Sequence, residues 1–272
     1  MSIENICIIG AGTMGRLLTV WALERGYTVS ACDTSRNALD TARSRIPAKE
    51  FSARLTATED MEKCACRADL VVDATPDNIE AKKVLFNELD SMCPKHTIVL
   101  SCTATIPLAV LNAVVERPER TVIANFWFDT PLVEIVKREP TAGRVMDAVK
   151  GFAELLGKRP VVLTRDCPGH ACCRMFLGQV YRALRIIEAE VATAEDVDTC
   201  MTLGSAYSSG IMRRCDRMGL DFVYQAFLSL YELTGEHRFK PNRVLEEKIA
   251  AGKLGQKSGE GFFVWPNLNS AS

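Results

Sequence analysis

Residues 6–9 form a short apolar run that stops at Gly10, and Gly10-Ala11-Gly12-Thr13-Met14-Gly15 then opens a stretch with apolar residues at helical spacing. No other feature restricts the fold so strongly. A strand that turns through G-x-G-x-x-G into a helix needs each glycine for a separate reason. Gly10 permits the tight turn, Gly12 lets the backbone approach a diphosphate, and Gly15 lets helix and strand pack closely. The helix start offers N–H groups and a partial positive charge, which suit phosphate. Asp33 follows Gly15 by 18 residues, at the end of a second strand expected over 28–32. A carboxylate there accepts from both ribose hydroxyls and repels a 2′-phosphate, so NAD is favoured over NADP, with Arg36 acting slightly against that preference. The expected contacts are Gly10, Ala11, Gly12, Thr13, Met14, Gly15, Asp33 and Thr34.

The rest of the first half alternates in the same way. Helices are expected over 14–24, 37–46, 78–89 and 107–114, and strands over 54–56, 69–74, 97–101 and 121–126. Two more strands, 132–136 and 159–163, flank a helix over 143–156. This alternation predicts an α/β, doubly wound parallel sheet of Rossmann type. After Asp166-Cys167-Pro168-Gly169 the pattern becomes helical, over 170–191, 196–203, 222–231 and 243–250, with Thr193 and Asp196 placed for a capping-type start. We therefore expect a dinucleotide-binding domain over 1–165 and a smaller all-α substrate and dimerisation domain over 166–272.

Composition removes other function classes. The 272 residues carry 33 basic and 34 acidic side chains, which gives no electrostatic reason to expect nucleic acid or an anionic membrane as partner. No run is long enough to span a bilayer, and the chain enters its first strand directly, without a signal-peptide pattern, so a cytoplasmic location is expected. Eleven cysteines, an odd number, argue against a disulfide framework. Cys7 and Cys32 read as small core residues. Cys167, His170, Cys172 and Cys173 mix two ligand types but have no second ligand pair elsewhere, so no metal is expected.

Beyond the glycine motif, the chain resembles the 3-hydroxyacyl-CoA dehydrogenase family over almost its whole length. The likeness rests on residues 8–15 and on Ala68-Asp69-Leu70-Val71-Val72-Asp73-Ala74. It continues through Leu132-Val133-Glu134-Ile135-Val136, Arg165-Asp166-Cys167-Pro168-Gly169 and the tail over 253–262. The resemblance implies that Asp77 and Lys82 lie near the nicotinamide ribose, with Ser101 joining the cofactor contacts. It also implies that the helical domain forms a homodimer.

The family uses a histidine to shuttle the alcohol proton and a glutamate to orient it. Here the stretch reads Asn125-Phe126-Trp127-Phe128-Asp129-Thr130-Pro131, so Asn125 falls on the histidine position while Glu134 keeps the glutamate. Ala104 and Cys173 fall where the family has a substrate-contacting serine and an asparagine. Trp127 is expected as cleft wall or core, with substrate packing as a lesser role. His170, one helical turn before Cys173, is a candidate replacement base supplied from the second domain. Relatives also carry a long helical hairpin between the second and third strands that helps hold coenzyme A, and the segment available here is too short for it.

These readings predict an NAD-dependent oxidoreductase acting on a 3-hydroxy/3-oxo acid or thioester other than a standard acyl-CoA. Two alternatives stand beside it: an imine or oxo-acid reductase on the same fold, and a catalytically silent NAD-binding protein.

Overall fold

The computed structural model describes residues 3–44, 46, 48–51, 53–128 and 130–266, which fall into two compact units, Met1–His170 and Ala171–Ser272. The first unit begins β1 (Asn5–Ile9), α1 (Thr13–Glu24), β2 (Thr28–Cys32), α2 (Arg36–Ser44), α3 (Ala48–Phe51), β3 (Leu55–Thr58), α4 (Met61–Ala65) and β4 (Leu70–Asp73). It continues with α5 (Ile79–Met92), β5 (Ile98–Ser101), α6 (Leu108–Asn112), β6 (Thr121–Phe126), β7 (Leu132–Val136), α7 (Gly143–Leu155) and β8 (Arg159–Leu163). The helix expected over 37–46 is α2, two residues shorter at its far end, and Arg45 lies outside the described residues.

One sheet takes the order β3-β2-β1-β4-β5-β6-β7-β8. Neighbours run parallel except β6 and β7. The Rossmann topology expected from the alternation is therefore present. The chain leaves β1 toward β2 and β3, then returns to place β4 on the other side of β1. That reversal opens a crevice beyond the carboxyl ends of β1 and β4, where such sheets bind ligands.

Both faces of the sheet are covered, which is why the central strands read as continuous apolar runs. Ile6, Ile8, Leu70, Val72, Ile98 and Leu100 pack into one core with residues of α1 and α7. Cys7, Ile9, Val71 and Val99 alternate onto the opposite face, against Leu85, Phe86 and Leu89 of α5. Cys7 and Cys32 are buried core residues, as expected.

The second unit is helical: α8 (Cys172–Glu188), α9 (Ala194–Thr199), α10 (Ile211–Met218), α11 (Leu220–Thr234) and α12 (Arg243–Ala250). Thr193 and Asp196 close a reciprocal capping box at α9, and a π-helical turn, Cys200–Gly204, follows it. The tail motif closes on Asp216 of α10. Its fully buried carboxylate accepts from the backbone N–H groups of Phe262 and Phe263, both at 2.9 Å, and from Trp265 Nε1 at 2.8 Å. A Cβ on Gly255 would lie 2.2 Å from the Asp216 carbonyl oxygen, so the tail needs a glycine to approach so closely. No described helix is long and apolar enough to cross a membrane.

Candidate active site

The glycine corner forms at the end of β1. Gly10 has φ of +100°, and a Cβ there would meet the Ala74 carbonyl oxygen, just past β4, at 2.8 Å. A Cβ on Gly15 would meet the Gly10 carbonyl oxygen at 1.8 Å, so the close packing of α1 on the turn excludes any side chain. Gly12 differs: a Cβ there meets nothing within 4 Å. The protein itself leaves that space open, and a diphosphate would fill it. Gly12 is also the N-cap of α1 and offers no side-chain cap, so first-turn N–H groups are available to an anion. Thr13 begins the helix, and Met14 packs against the core.

Asp33 reaches this corner from the end of β2. Its Oδ2 accepts from the Ala11 N–H at 2.7 Å and its Oδ1 from the Ser35 N–H at 2.8 Å. A carboxylate offers about four acceptor positions, so two remain for ribose hydroxyls. Thr34 is exposed beside it. Arg36 faces Asp40 at 3.5 Å and Glu59 at 3.6 Å. The residues present thus fit NAD: an open glycine cradle, an uncapped helix start and an acid already oriented by the loop.

A buried polar cluster supports the next part of the crevice. Lys82 and Asp73 are both 0% exposed and their charged groups meet at 2.6 Å. Lys82 Nζ also donates to the Thr75 carbonyl at 3.1 Å, and the Ser101 hydroxyl donates to Asp73 Oδ2 at 2.7 Å. Asp77 lies 4.0 Å from the Lys82 ammonium. Its Oδ2 accepts from the backbone N–H groups of Ala104 and Thr105, at 2.9 and 3.1 Å, and from the Thr105 hydroxyl. The Gly169 N–H in turn donates to the Thr105 carbonyl at 2.9 Å. Lys82 and Ser101 therefore brace the loops that form the crevice, while Asp77 holds the loop carrying Ala104.

At the end of β6, Asn125 stands directly opposite Glu134 of the antiparallel β7. Residues so paired project from one face of the sheet, and Asn125 Nδ2 donates to Glu134 Oε2 at 2.9 Å. Both are buried, at 2% and 1% exposure. An amide nitrogen carries two hydrogens, and this bond uses one. Trp127, buried, packs edge-on against Phe128 just beyond the strand, and Asp129 lies outside the described residues. Cys173 is placed on α8 of the second unit.

His170 ends the first unit. It is 1% exposed, and neither ring nitrogen meets a hydrogen-bond partner. Its φ of +47° lies in the left-handed region that glycine favours. The sequence singles out this histidine by its place one helical turn before Cys173, in the expected second domain, whereas it falls at the end of the first unit, and local pattern carries no sign of its burial. Burial pushes its pKa below the ordinary value, against the pull of the Glu134, Asp77 and Asp166 carboxylates and the Thr103 backbone.

The folded ring stays neutral while the unfolded chain takes up a proton below about pH 6.5, so folding loses stability as pH falls from there toward the folded value. His170→Gln should flatten the decline in melting temperature as pH falls below about 6.5, relative to the parent. Parallel slopes would show that the ring is protonated alike in both states.

Comparison with known proteins agrees with this geometry. Residues 5–167 match the model for the 3-hydroxyacyl-CoA dehydrogenase NAD-binding domain, and residues 169–265 match that for the C-terminal domain of the same enzymes. The chain belongs to the 3-hydroxyacyl-CoA dehydrogenase family. It is 30% identical to a probable 3-hydroxybutyryl-CoA dehydrogenase of Bacillus subtilis, over 99% of this chain and 100% of that one. It is also 30% identical to the 5-formyl-3-hydroxy-2-methylpyridine 4-carboxylate 5-dehydrogenase of Mesorhizobium japonicum, over 97% and 91%. Among solved structures, FadB2 of M. tuberculosis superposes with a TM-score of 0.89 at 26% identity, covering 98% of this chain and all of that one. As a member of this family, the chain is an NAD-dependent dehydrogenase. NAD supplies the hydride acceptor when oxidised and the hydride donor when reduced.

Within the family, the first unit departs from the expected pattern between β2 and β3. Among the described residues that connection holds only α2, of 9 residues, and α3, of 4. Neither is a long helical hairpin. No described cluster of three or more His, Cys, Asp or Glu side chains is arranged to hold a metal ion.

Proposed function

We propose that this dehydrogenase interconverts a 3-hydroxy acid, or a thioester other than a standard acyl-CoA, with the 3-oxo form. The observation that carries this reading is the buried Asn125–Glu134 pair at the carboxyl edge of the sheet. Glu134 orients the Asn125 amide, whose second N–H donates to the reacting oxygen. That bond stabilises the charge developing on oxygen without transferring a proton. The two short helices between β2 and β3 support a substrate smaller than coenzyme A. So does the likeness to an enzyme named for a pyridine carboxylate. Gly10, Ala11, Gly12, Thr13, Met14, Gly15, Asp33 and Thr34 hold the dinucleotide. Asp77, Lys82 and Ser101 shape the nicotinamide end, and Ala104 and Trp127 contact substrate.

NADH consumption across acetoacetate, acetoacetyl-pantetheine, acetoacetyl-CoA and a cyclic imine tests the reading. The expected order places free acid or pantetheine thioester above acetoacetyl-CoA. Asn125→Ala should lower kcat by about 10²–10³ with NADH affinity unchanged, the usual cost of one oxyanion donor. Turnover confined to acetoacetyl-CoA would refute the substrate class, turnover confined to the imine would transfer the site to amine chemistry, and no turnover with any of them would favour a silent NAD-binding role.

The assembly we propose is a homodimer formed through the helical unit, where Met175 and Ile186 on α8 are exposed apolar side chains, as is Leu203. Sedimentation at twice the chain mass is expected. The odd number of cysteines supports a reducing, cytoplasmic setting.

A further inference from the structure

The dehydrogenase reading leaves one chemical need unmet. Oxidising an alcohol releases a proton, and the Asn125 amide can hold the oxygen but cannot accept that proton. The chain has three histidines. His96 lies at the surface beside Asp69, 3.4 Å away, and His237 is exposed in the second unit. Only His170 is buried, and both of its ring nitrogens are without partners. A histidine kept for packing normally satisfies at least one nitrogen, because an unpaired buried polar atom is costly. Here His170 holds a left-handed backbone conformation, and the Thr103 backbone approaches its ring without forming a well-aligned hydrogen bond.

The surroundings match the missing role. Glu134 from β7, Asp77 from the loop after β4 and Asp166 from the loop after β8 act on the ring, as does the Thr103 backbone. Arg138 lies 3.7 Å from Asp166. Burial keeps the ring neutral and ready to accept a proton, and the carboxylates stabilise the imidazolium once it forms. The Gly169–Thr105 hydrogen bond ties the segment that carries His170 to the loop held by Asp77.

We propose that His170 is the catalytic acid–base of this enzyme, taking over the proton transfer that the family resemblance assigns to the position held by Asn125. This rests on the dehydrogenase reading above. In the oxidative direction the alcohol O–H bond breaks and its proton passes to a ring nitrogen of His170. The C–H bond breaks with its electron pair leaving as hydride to oxidised NAD, and the C=O bond forms. Asn125 holds the oxygen throughout. Reduction runs the same transfers in reverse.

His170→Gln, compared with the parent on the best substrate of the panel, should lower kcat by about 10²–10⁴. NADH affinity should stay within about twofold, and the pH-dependent limb of kcat should disappear. Adding Asn125→His in the His170→Gln background should restore at least tenfold of the lost rate. A readout independent of turnover is the ¹⁵N spectrum of histidine-labelled protein with NAD bound. The signal absent from His170→Gln should shift when acetoacetate is added, while those of His96 and His237 stay put. His170→Gln with kcat and pH profile like the parent would overturn the proposal and leave the dehydrogenase reading intact. If that variant does not fold, an unmoved ring signal in the parent protein overturns it. No turnover by the parent with any of the panel would defeat both.

Discussion

Lys82→Met should cost about 3–5 kcal/mol of stability, the usual penalty for breaking a buried ion pair from one side. That corresponds to a fall in melting temperature on the order of 10 °C for a chain of this size. The reason is local. Asp73 and Lys82 are completely buried and meet at 2.6 Å, so removing the ammonium leaves a charged carboxylate away from water. The N–H and hydroxyl of Thr75 and the hydroxyl of Ser101 still donate to Asp73, but they are dipoles facing a full charge. Asp73→Asn combined with Lys82→Met should be less damaging than the sum of the single changes, because it removes both charges. Urea and thermal midpoints measure this. A loss below about 1 kcal/mol, the range of surface pairs, would mean that water reaches the pair. Activity should fall with stability, since the same ammonium anchors Thr75 and sits beside Asp77, which holds the loop over 103–105.

Gly12→Ala and Gly15→Ala should separate ligand from fold. An added methyl at Gly15 would fall 1.8 Å from the Gly10 carbonyl oxygen, a backbone atom that can yield only by moving the turn. We expect a loss of more than about 3 kcal/mol, near the upper end for overpacking a rigid site. At Gly12 the methyl meets nothing within 4 Å, and the melting temperature should be unchanged in the absence of ligand. NAD affinity should nonetheless fall at least tenfold, about 1.4 kcal/mol, because the methyl occupies space the diphosphate requires. Calorimetric titration alongside thermal melts decides it. Undiminished NAD affinity in Gly12→Ala would show that the dinucleotide does not approach the backbone there.

Much of this molecule was legible because its signals are local. A strand, a glycine turn and a helix announce themselves in consecutive residues, and an acid at the end of the next strand completes the motif. The elements that escaped lack such signals. The helices α3 and α4 have 4 and 5 residues, too few to display a hydrophobic period, although Asp60 caps α4. The start of α10 is capped from a distance: the Asp198 carboxylate accepts from the N–H groups of Met212 and Arg213, fourteen and fifteen positions along the chain.

The site divides in the same way. Asn125 and Glu134 came from family likeness, but their direct pairing depends on the register of an antiparallel strand pair, which strand periodicity alone does not set. Lys82 was expected at a ribose. Its burial against Asp73 depends on helix α5 returning to the end of β4, a tertiary fact. The isolation of the His170 ring is also tertiary, since it depends on which groups do not reach it.

The central claim is that the reacting oxygen rests on Asn125 rather than on a histidine at that strand end. A crystal structure with oxidised NAD and acetoacetate measures it directly. We expect the keto oxygen within about 3.2 Å of Asn125 Nδ2, inside hydrogen-bonding range, with the diphosphate over Gly12. A keto oxygen farther than about 4 Å from Asn125, held by other side chains, would contradict the account.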